Sequence, residues 1–358
     1  MRGSITRKLG VIIAAVALPV LAIGTANAAT GAATTPKKLA VATLNGSGSS
    51  LQYSFDQVVI GDFKKIQKSV TINYASKGSG TGRQELADQV TDFAGSDAPY
   101  PAADVSKIKG GPILYFPTVA DPIAISYNLS GLSNLQLSGD TIAKIFQAQI
   151  TSWDDPAIKA ENPKAKLPST KITVAVRSDS SGTTNNFTTY LTKAAPSTYT
   201  LGASGKVSWP ASDQQGAQNT GVAQIIKSTD GSIGYVDFSD AQAIGLTYAK
   251  VKNADGKYLL PSTAGASAAL LKATVNPDLT YDPIYVAGPK AYPITSPTYI
   301  IAYQNQTDAA KGNALKGFLQ YIYGPGQVTA PTIDYAPLSK NLLTQAKAQL
   351  SKISIPAS

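Results

Sequence analysis

The chain has 358 residues and contains no cysteine, no histidine and one methionine, Met1. These absences exclude zinc fingers, cysteine-held iron–sulfur clusters and catalytic centres built on Ser-His-Asp or Cys-His. Hydrophobic residues make up 43% of the sequence and charged residues 15%, with a formal net charge of +9. No dense run of Lys or Arg accompanies this modest charge, so nucleic-acid binding is not expected. The length corresponds to about two domains.

The amino terminus has the pattern of a secretory signal. Three basic residues lie between positions 2 and 8, an apolar run extends from Leu9 to Ile23, and residues 26–28 read Ala-Asn-Ala. The run is shorter than the about 20 residues that span a bilayer. We therefore expect a signal peptide at 1–28, cleaved after Ala28, and an exported protein of the periplasm or the extracellular cell envelope. Since no cysteine follows the run, a lipoprotein is not expected.

The rest of the chain alternates between two kinds of segment. Residues 29–38 are small or polar and predict a flexible leader. The residue patterns then predict strands at 39–44, 70–75, 91–95, 113–119, 123–128, 171–177, 233–238 and 298–303. Helices are predicted at 50–67, from about 79, and at 102–108, 140–149, 154–160, 183–193, 220–227 and 339–352. This alternation is typical of an α/β fold with parallel sheets.

Three of these strands are followed by a turn rich in Ser, Gly and Thr and then by a helix. The turns are residues 45–50 (NGSGSS), 77–82 (KGSGTG) and 178–183 (SDSSGT). Such residues also favour turns and helix caps where no ligand binds. However, strand-to-helix turns of a parallel sheet meet at its ligand-binding edge, where they offer backbone N–H groups and helix dipoles to an anion. With no Walker A or GxGxxG string, the pattern predicts a small anion that is not a nucleotide.

Two charged residues refine this prediction. Arg177 ends a strand four positions before Ser181, and its guanidinium could hold a tetrahedral oxyanion with two parallel bonds, or form a surface ion pair with Asp179. Asp97 ends the third strand, where it could instead cap the turn before Pro99. A carboxylate fits an anion site only if the anion carries a proton. Hydrogen phosphate carries one near neutral pH and sulfate does not.

At these residues the chain resembles the periplasmic or extracellular phosphate-binding proteins of high-affinity phosphate ABC importers, within the type II periplasmic-binding-protein superfamily. The resemblance follows family order from about residue 40 to the carboxyl terminus. Its strings include residues 44–51 (LNGSGSSL), 73–82 (NYASKGSGTG), 91–100 (TDFAGSDAPY), 115–119 (YFPTV), 145–158 (IFQAQITSWDDPAI), 172–191 (ITVAVRSDSSGTTNNFTTYL), 207–210 (VSWP), 231–241 (GSIGYVDFSDA) and 292–300 (YPITSPTYI).

The resemblance implies a two-lobed Venus-flytrap fold, each lobe a mostly parallel sheet flanked by helices, joined by two crossover hinge strands. It implies a discontinuous lobe I at 39–118 and 297–358, and a lobe II at 119–296. The implied phosphate ligands, carried over by position, are Ser50, the Leu51 backbone N–H, Ser79, Asp97, Arg177, Ser181, Gly182 and Thr183. Asp179 matches the family acid that restrains the arginine. The segment 211–219 lacks part of the family's Gly-rich run.

The resemblance also implies a function. We expect inorganic phosphate to be bound between the lobes and delivered to the permease and ATPase subunits of an ABC importer, by a monomer with no catalytic residue, cofactor or metal. The alternative is a secreted phosphoester hydrolase that uses the same anion site. Its candidates, the Ser-x-x-Lys string at 106–109 and the paired acids Asp154 and Asp155, are better explained by a solvated helix face and by a helix cap before Pro156.

Overall fold

The computed structural model describes residues 38–357 of the chain. The predicted signal peptide and all of the predicted leader except Lys38 lie outside these residues. Within the described part, no helix combines the length and the apolar character needed to cross a membrane.

Strands and helices alternate along the chain as the sequence predicts. The strands are β1 (Ala42–Gly48), β2 (Val70–Ser76), β3 (Phe93–Ser96), β4 (Ile113–Asn128), β5 (Gln136–Leu137), β6 (Thr173–Arg177), β7 (Gln214–Gly216), β8 (Ser232–Asp237), β9 (Thr247–Tyr248), β10 (Lys250–Lys252), β11 (Tyr258–Leu259), β12 (Thr274–Val275), β13 (Tyr281–Asp282) and β14 (Thr295–Tyr303). The helices are α1 (Tyr53–Ile66), α2 (Ser79–Ala87), α3 (Ala102–Val105), α4 (Gly139–Phe146), α5 (Pro156–Glu161), α6 (Gly182–Ala194), α7 (Gln218–Ser228), α8 (Phe238–Ala243), α9 (Thr263–Leu270), α10 (Ala309–Tyr321), α11 (Gln327–Thr329) and α12 (Lys340–Gln349). Short π and 3₁₀ turns lie at Ile322–Gly326, Ala330–Ile333 and Leu350–Lys352.

One mixed sheet runs through the molecule in the order β2-β1-β3-β14-β4-β8-β6-β7, with β9 also paired to β4. At one end β1 pairs in parallel with β2 and β3, and at the other end β6 pairs in parallel with β7 and β8. Antiparallel pairings of β14 and β4 join the two parallel parts. The α/β, two-lobed architecture is therefore confirmed, with a parallel set of strands in each lobe.

Strand β4 is the structural link between the two parts. Residues 113–122 pair with β14, and residues 123–128 pair with β8, so a single strand belongs to both halves of the sheet. The sequence predicted two strands here, at 113–119 and 123–128. The two predicted strands form one continuous strand, β4. Its partner β14 takes up the irregularity by a register shift between Pro297 and Tyr299, and the pairing with β4 stays intact on either side of the shift. The Thr118 and Thr298 hydroxyls lie 2.6 Å apart at this bulge.

The first predicted turn begins later than expected. The sequence indicated a turn at 45–50, whereas β1 continues to Gly48 in parallel register with β2 and β3. The glycines are there because the strands pack closely: a side chain on Gly46 would lie 2.2 Å from the Phe93 ring, and one on Gly48, at φ +142°, would lie 2.0 Å from the Gly95 carbonyl oxygen. The turn that reaches the sheet edge therefore consists of Ser49 and the residues immediately after it.

Two main groups of buried apolar side chains correspond to the two lobes. One packs around β1–β3 and β14 with α1, α10 and α12, and the other packs around β6 and β8 with α4 and α6. Side chains between positions 266 and 281 belong to the first group, although this stretch falls within the predicted lobe II. The lobe boundaries at 118/119 and 296/297 stay a prediction.

Candidate functional site

Asp97 lies at the centre of a polar cluster between the two lobes. It directly follows β3, and only 1% of its surface is exposed. Its carboxylate accepts hydrogen bonds from the Ser49 hydroxyl, which follows β1, and from Thr183 Oγ1 in the first turn of α6, the latter at 3.1 Å. Asn186 Nδ2 donates to the Asp97 carbonyl oxygen at 2.9 Å. Side chains from both lobes therefore meet at this one carboxylate.

Arg177 ends β6 and supplies the positive charge of the cluster. Its side chain is 1% exposed, and Nε and Nη2 donate to Asp179 Oδ1 and Oδ2 at 2.8 and 2.5 Å. Nη1 approaches Thr183 Oγ1 at 3.5 Å. Burial acts to raise the pKa of Asp179, but the bonds and charge of Arg177 hold it below its usual value. Asp179 is thus an ionised partner that fixes the plane of the guanidinium.

The start of α1 lies beside the start of α7. Ser50 Oγ accepts from both the backbone N–H and Nδ2 of Asn219, each at 3.2 Å. Asn219 Nδ2 also donates to Thr183 Oγ1 at 3.2 Å. The Leu51 N–H donates to Ser49 Oγ at 3.1 Å, and the Leu51 side chain is fully buried among second-lobe side chains. Ser50 and Thr183, which come from different lobes, are therefore bridged by one amide.

Ser79 and Gly182 bring two helix starts into contact. Ser79 is the first residue of α2, and its Oγ accepts from the Asp97 N–H at 3.2 Å. Gly182 begins α6, and a side chain there would lie 2.7 Å from both Ser79 Oγ and Asp97 Cβ. Ser181 caps α6 by accepting from the Thr184 N–H. The positive end of α6 is therefore directed at Asp97 and Ser79.

Burial also changes the acidity of the carboxyl groups in this region. It raises the pKa of Asp97 to about 6, although the Ser49 bond, Arg177 and Thr183 favour the ionised form. Near pH 7 Asp97 is thus mainly ionised and acts as an acceptor. Burial raises the pKa of Asp56, in the first turn of α1, to about 8, against the bond that Gln52 Nε2 donates at 2.8 Å. Asp56 is therefore largely neutral at the same pH.

The structure thus brings together every residue that the resemblance implied. The common feature of the set is an array of hydroxyl, guanidinium and helix-terminal donors around one acceptor, Asp97. Such an array suits an oxyanion that carries a proton. That these residues bind phosphate stays a prediction.

Comparison with known proteins identifies the family. A family model described as a PBP superfamily domain matches residues 28–325. Phosphate-binding protein PstS 3 of Mycobacterium tuberculosis (strain ATCC 25618 / H37Rv) is 36% identical over 322 residues, which cover 87% of this chain and 86% of that protein. The chain belongs to the phosphate-binding protein family of the PBP superfamily. The family resemblance drawn from the sequence is therefore confirmed.

Solved structures support the same fold for this family member. The periplasmic phosphate-binding protein PfluDING, solved with bound phosphate, matches with a TM-score of 0.72 at 23% identity, over 86% of this chain and 94% of that one. A phosphate-binding protein from Stenotrophomonas maltophilia matches with a TM-score of 0.67 at 23% identity, over 86% and 94% of the two chains. At these identities the likeness shows the shared fold.

The site residues predicted from the sequence leave out three buried residues of this phosphate-binding protein. Ser49 was assigned to the turn without a role, although it is the first hydroxyl after β1. Asn219 is the second residue of α7 and directly follows a fourth strand-to-helix connection, whose short strand β7 has no apolar pattern to reveal it. Asp56 shows no distinctive spacing in the sequence, because its importance comes only from complete burial. A fourth connection at the same sheet edge was the one signal that could have located Asn219.

None of the hydrolase candidates is buried, in contrast to Asp97 and Arg177. Lys109, the lysine of the Ser-x-x-Lys string, follows the end of α3, is 64% exposed and pairs with Asp88 at 2.5 Å. The Asp155 side chain accepts from the Ala157 N–H and caps α5 before Pro156, so the predicted cap is confirmed. Within residues 38–357, no group of three or more acidic side chains is placed to hold a metal ion.

Proposed function

We propose that the chain binds inorganic phosphate in the cleft between its lobes and delivers it to the permease and ATPase subunits of an ABC importer. The observation that supports this most directly is the buried Asp97 carboxylate within an array of donors. A fully ionised anion would meet an uncompensated negative charge at Asp97, whereas hydrogen phosphate would donate its proton there. The named functions of the relatives point to the same ligand.

Capture would exchange bonds within the protein for bonds to the ligand. The Thr183 hydroxyl, which now donates to Asp97, would donate to a phosphate oxygen, and the phosphate O–H would take its place at the carboxylate. Arg177, held by Asp179, would pair with two further oxygens. Ser50, the Leu51 N–H, Ser79 and the amino-terminal residues of α6 would complete the shell. Hydrogen bonds to a charged partner contribute about 1.5–3 kcal/mol each.

Closure of the lobes would assemble these donors, since Ser50, Ser79 and Asp97 come from one lobe and Arg177, Ser181, Gly182 and Thr183 from the other. In this proposal β4 and β14 are the crossovers, between a lobe I of residues 39–118 and 297–358 and a lobe II of residues 119–296. The closed form is the one a transporter would recognise. The protein would be exported through its predicted signal peptide, cleaved after Ala28, and would act as a monomer without a lipid anchor.

Calorimetric titration of phosphate into the purified, phosphate-free protein tests this proposal. We expect one site per chain, and an Arg177→Ala variant with strongly reduced binding because the remaining donors are neutral. A Lys65→Ala variant, which changes an exposed charge in the last turn of α1, should bind like the wild type. A wild-type protein that gives no binding signal with phosphate would exclude the proposed function.

The hydrolase alternative predicts a different result. Incubation with a chromogenic phosphomonoester should give no turnover if the site only binds and releases phosphate. Turnover that the wild type shows and Arg177→Ala lacks would favour the enzyme, because it would place the reaction at this anion site.

A further inference from the structure

Gln218, the first residue of α7, has a backbone conformation that is unusual for a residue with a side chain. Its φ is +60°, in the left-handed region that favours glycine. A side chain at this position carries a conformational cost, so its contacts are of particular interest.

The Gln218 side chain makes two hydrogen bonds to a single residue of the other lobe. Its Nε2 donates to the Ser76 carbonyl oxygen at 2.8 Å, and its Oε1 accepts from Ser76 Oγ at 3.0 Å. Because a carbonyl oxygen can only accept, the orientation of the amide is determined. Ser76 ends β2, directly before the turn that carries Ser79. The amide therefore joins α7 to the rim of the first lobe.

The backbone of Gln218 connects this contact to the anion-binding cluster. Its N–H donates at 2.9 Å to Asp179 Oδ1, the oxygen that also accepts from Arg177 Nε. The facing turn is shaped to admit this carboxylate, since a side chain on Gly78, at φ +85°, would lie 2.2 Å from Asp179 Oδ2. The first lobe, Gln218 and the Arg177–Asp179 pair are thus linked in one continuous set of contacts.

We infer that Gln218 is a positioning residue that holds the cleft closed over its ligand; this inference rests on the proposed function. Its two bonds to Ser76 form only when the lobes meet, and they contact no predicted phosphate ligand. Removing them destabilises the closed form relative to the open one, which lowers apparent affinity without changing the contacts to the anion. Loss of these two bonds raises the rate of phosphate release more than it changes the rate of phosphate association.

Stopped-flow and calorimetric measurements on Gln218→Ala test the inference. Since two neutral hydrogen bonds are lost, release should be about tenfold faster, with an unchanged association rate and an unchanged phosphate/sulfate affinity ratio. Gln215→Ala, an exposed side chain in the preceding strand β7, is the matched control and should behave like the wild type. Equal release rates for Gln218→Ala and the wild type would overturn the inference.

Two further variants separate the contact from the backbone conformation. Gln218→Glu keeps the shape but places a carboxylate oxygen against the Ser76 carbonyl, so release should be at least as fast as in Gln218→Ala. Gln218→Gly relieves the positive φ and also removes the contact, so it should still release phosphate faster than the wild type. Slower release from Gln218→Gly would show that conformational strain dominates and would contradict the inference.

X-ray scattering without phosphate gives a readout that does not depend on the proposed function. Gln218→Ala should have a larger radius of gyration than the wild type, because the variant lacks the two bonds that hold the lobes together. The lobes of Gln218→Ala should then close only at a higher phosphate concentration than those of the wild type. If the wild type fails to bind phosphate, only the proposed function is rejected. The comparison of the two ligand-free proteins then decides the inference about Gln218, and equal radii of gyration would reject that inference as well.

Discussion

A buried carboxylate inside an anion site is unfavourable unless it has a definite partner. Asp97 is 1% exposed, and burial raises its pKa to about 6, so its charged form is maintained near neutral pH at a cost to stability. The Ser49 and Thr183 hydroxyls offset part of this cost. The buried Asp97 carboxylate therefore lowers the stability of the ligand-free protein, and we propose that it provides selectivity for a protonated oxyanion.

Asp97→Asn is expected to reduce the selectivity of the site for phosphate over sulfate. The amide retains the shape but removes the charge that repels sulfate, so the phosphate/sulfate affinity ratio should fall by at least about 100-fold. A site that requires a ligand O–H can reject an analogue without one by about 10⁴–10⁵-fold. Titration of both anions into the variant measures the ratio, with the exposed Asp230→Asn as control. An unchanged ratio would remove Asp97 from this role.

Asp56 provides a test of the electrostatics that is independent of the ligand. Its pKa is about 8 in the native state, above the model-peptide value of 3.8, so the native protein retains a proton that the unfolded chain has released. The free energy of unfolding therefore decreases as pH rises from about 4 to 8, by about 1.4 kcal/mol per pH unit from this group. Asp56→Asn should lack this contribution.

Urea unfolding of the wild type and Asp56→Asn at several pH values between 5 and 9 measures the difference. We expect the variant to gain stability relative to the wild type as pH rises, until the two curves become parallel above pH 8. Buried acids other than Asp97, whose charge also acts on Asp56, contribute equally in both proteins and cancel. Parallel curves across the whole range would show that Asp56 keeps an ordinary pKa.

Helix α6 illustrates what determines the site at the scale of the element. Its strand-to-helix turn at 178–183 was evident from the sequence, since it follows from local residue types, and the helix begins at Gly182, one residue before the predicted start. The requirement for glycine at 182 was not evident, because it arises from Ser79 and Asp97, which are distant in the chain. Local signals thus located the helix start, and tertiary contacts define how closely the other lobe can approach it.

Gly182→Ala should weaken phosphate binding by at least about tenfold while leaving the ligand-free protein folded. The added methyl group would lie 2.7 Å from Ser79 Oγ and Asp97 Cβ and would hold the lobes apart. Gly61→Ala is the matched control, because that glycine lies in α1 with nothing within 4 Å. It should stabilise the protein by about 0.5–1 kcal/mol without affecting binding. Thermal unfolding of Gly182→Ala and Gly61→Ala with and without phosphate measures the difference. An equal rise of Tm on adding phosphate in the two variants would contradict the expected role of Gly182.

At the scale of the whole molecule, the regular elements were predictable and their junctions were not. The α/β alternation and the positions of α1, α2 and α6 follow from periodicity and capping. Helix α10 was missed although Leu315, Phe318 and Leu319 lie at helical spacing, because two glycines within it lower its helix propensity. The short strands between β8 and β14 carry too few residues for a pattern. Asn219 was missed for the same reason, since β7 has only three residues.

The two lobes have complementary roles in this account. One supplies Asp97, which we propose selects the ligand, and the other supplies Arg177, which we propose neutralises it. Neither function needs cysteine or histidine, so the composition that limits enzymatic chemistry is compatible with reversible capture of an anion.

Paired calorimetric titrations of phosphate and sulfate into the phosphate-free wild-type protein test the central claim most directly. We expect one high-affinity site for phosphate and an affinity for sulfate that is at least about 1000-fold lower, because only phosphate can donate a proton to Asp97. Equal affinity for the two anions, or no binding of phosphate, would contradict it.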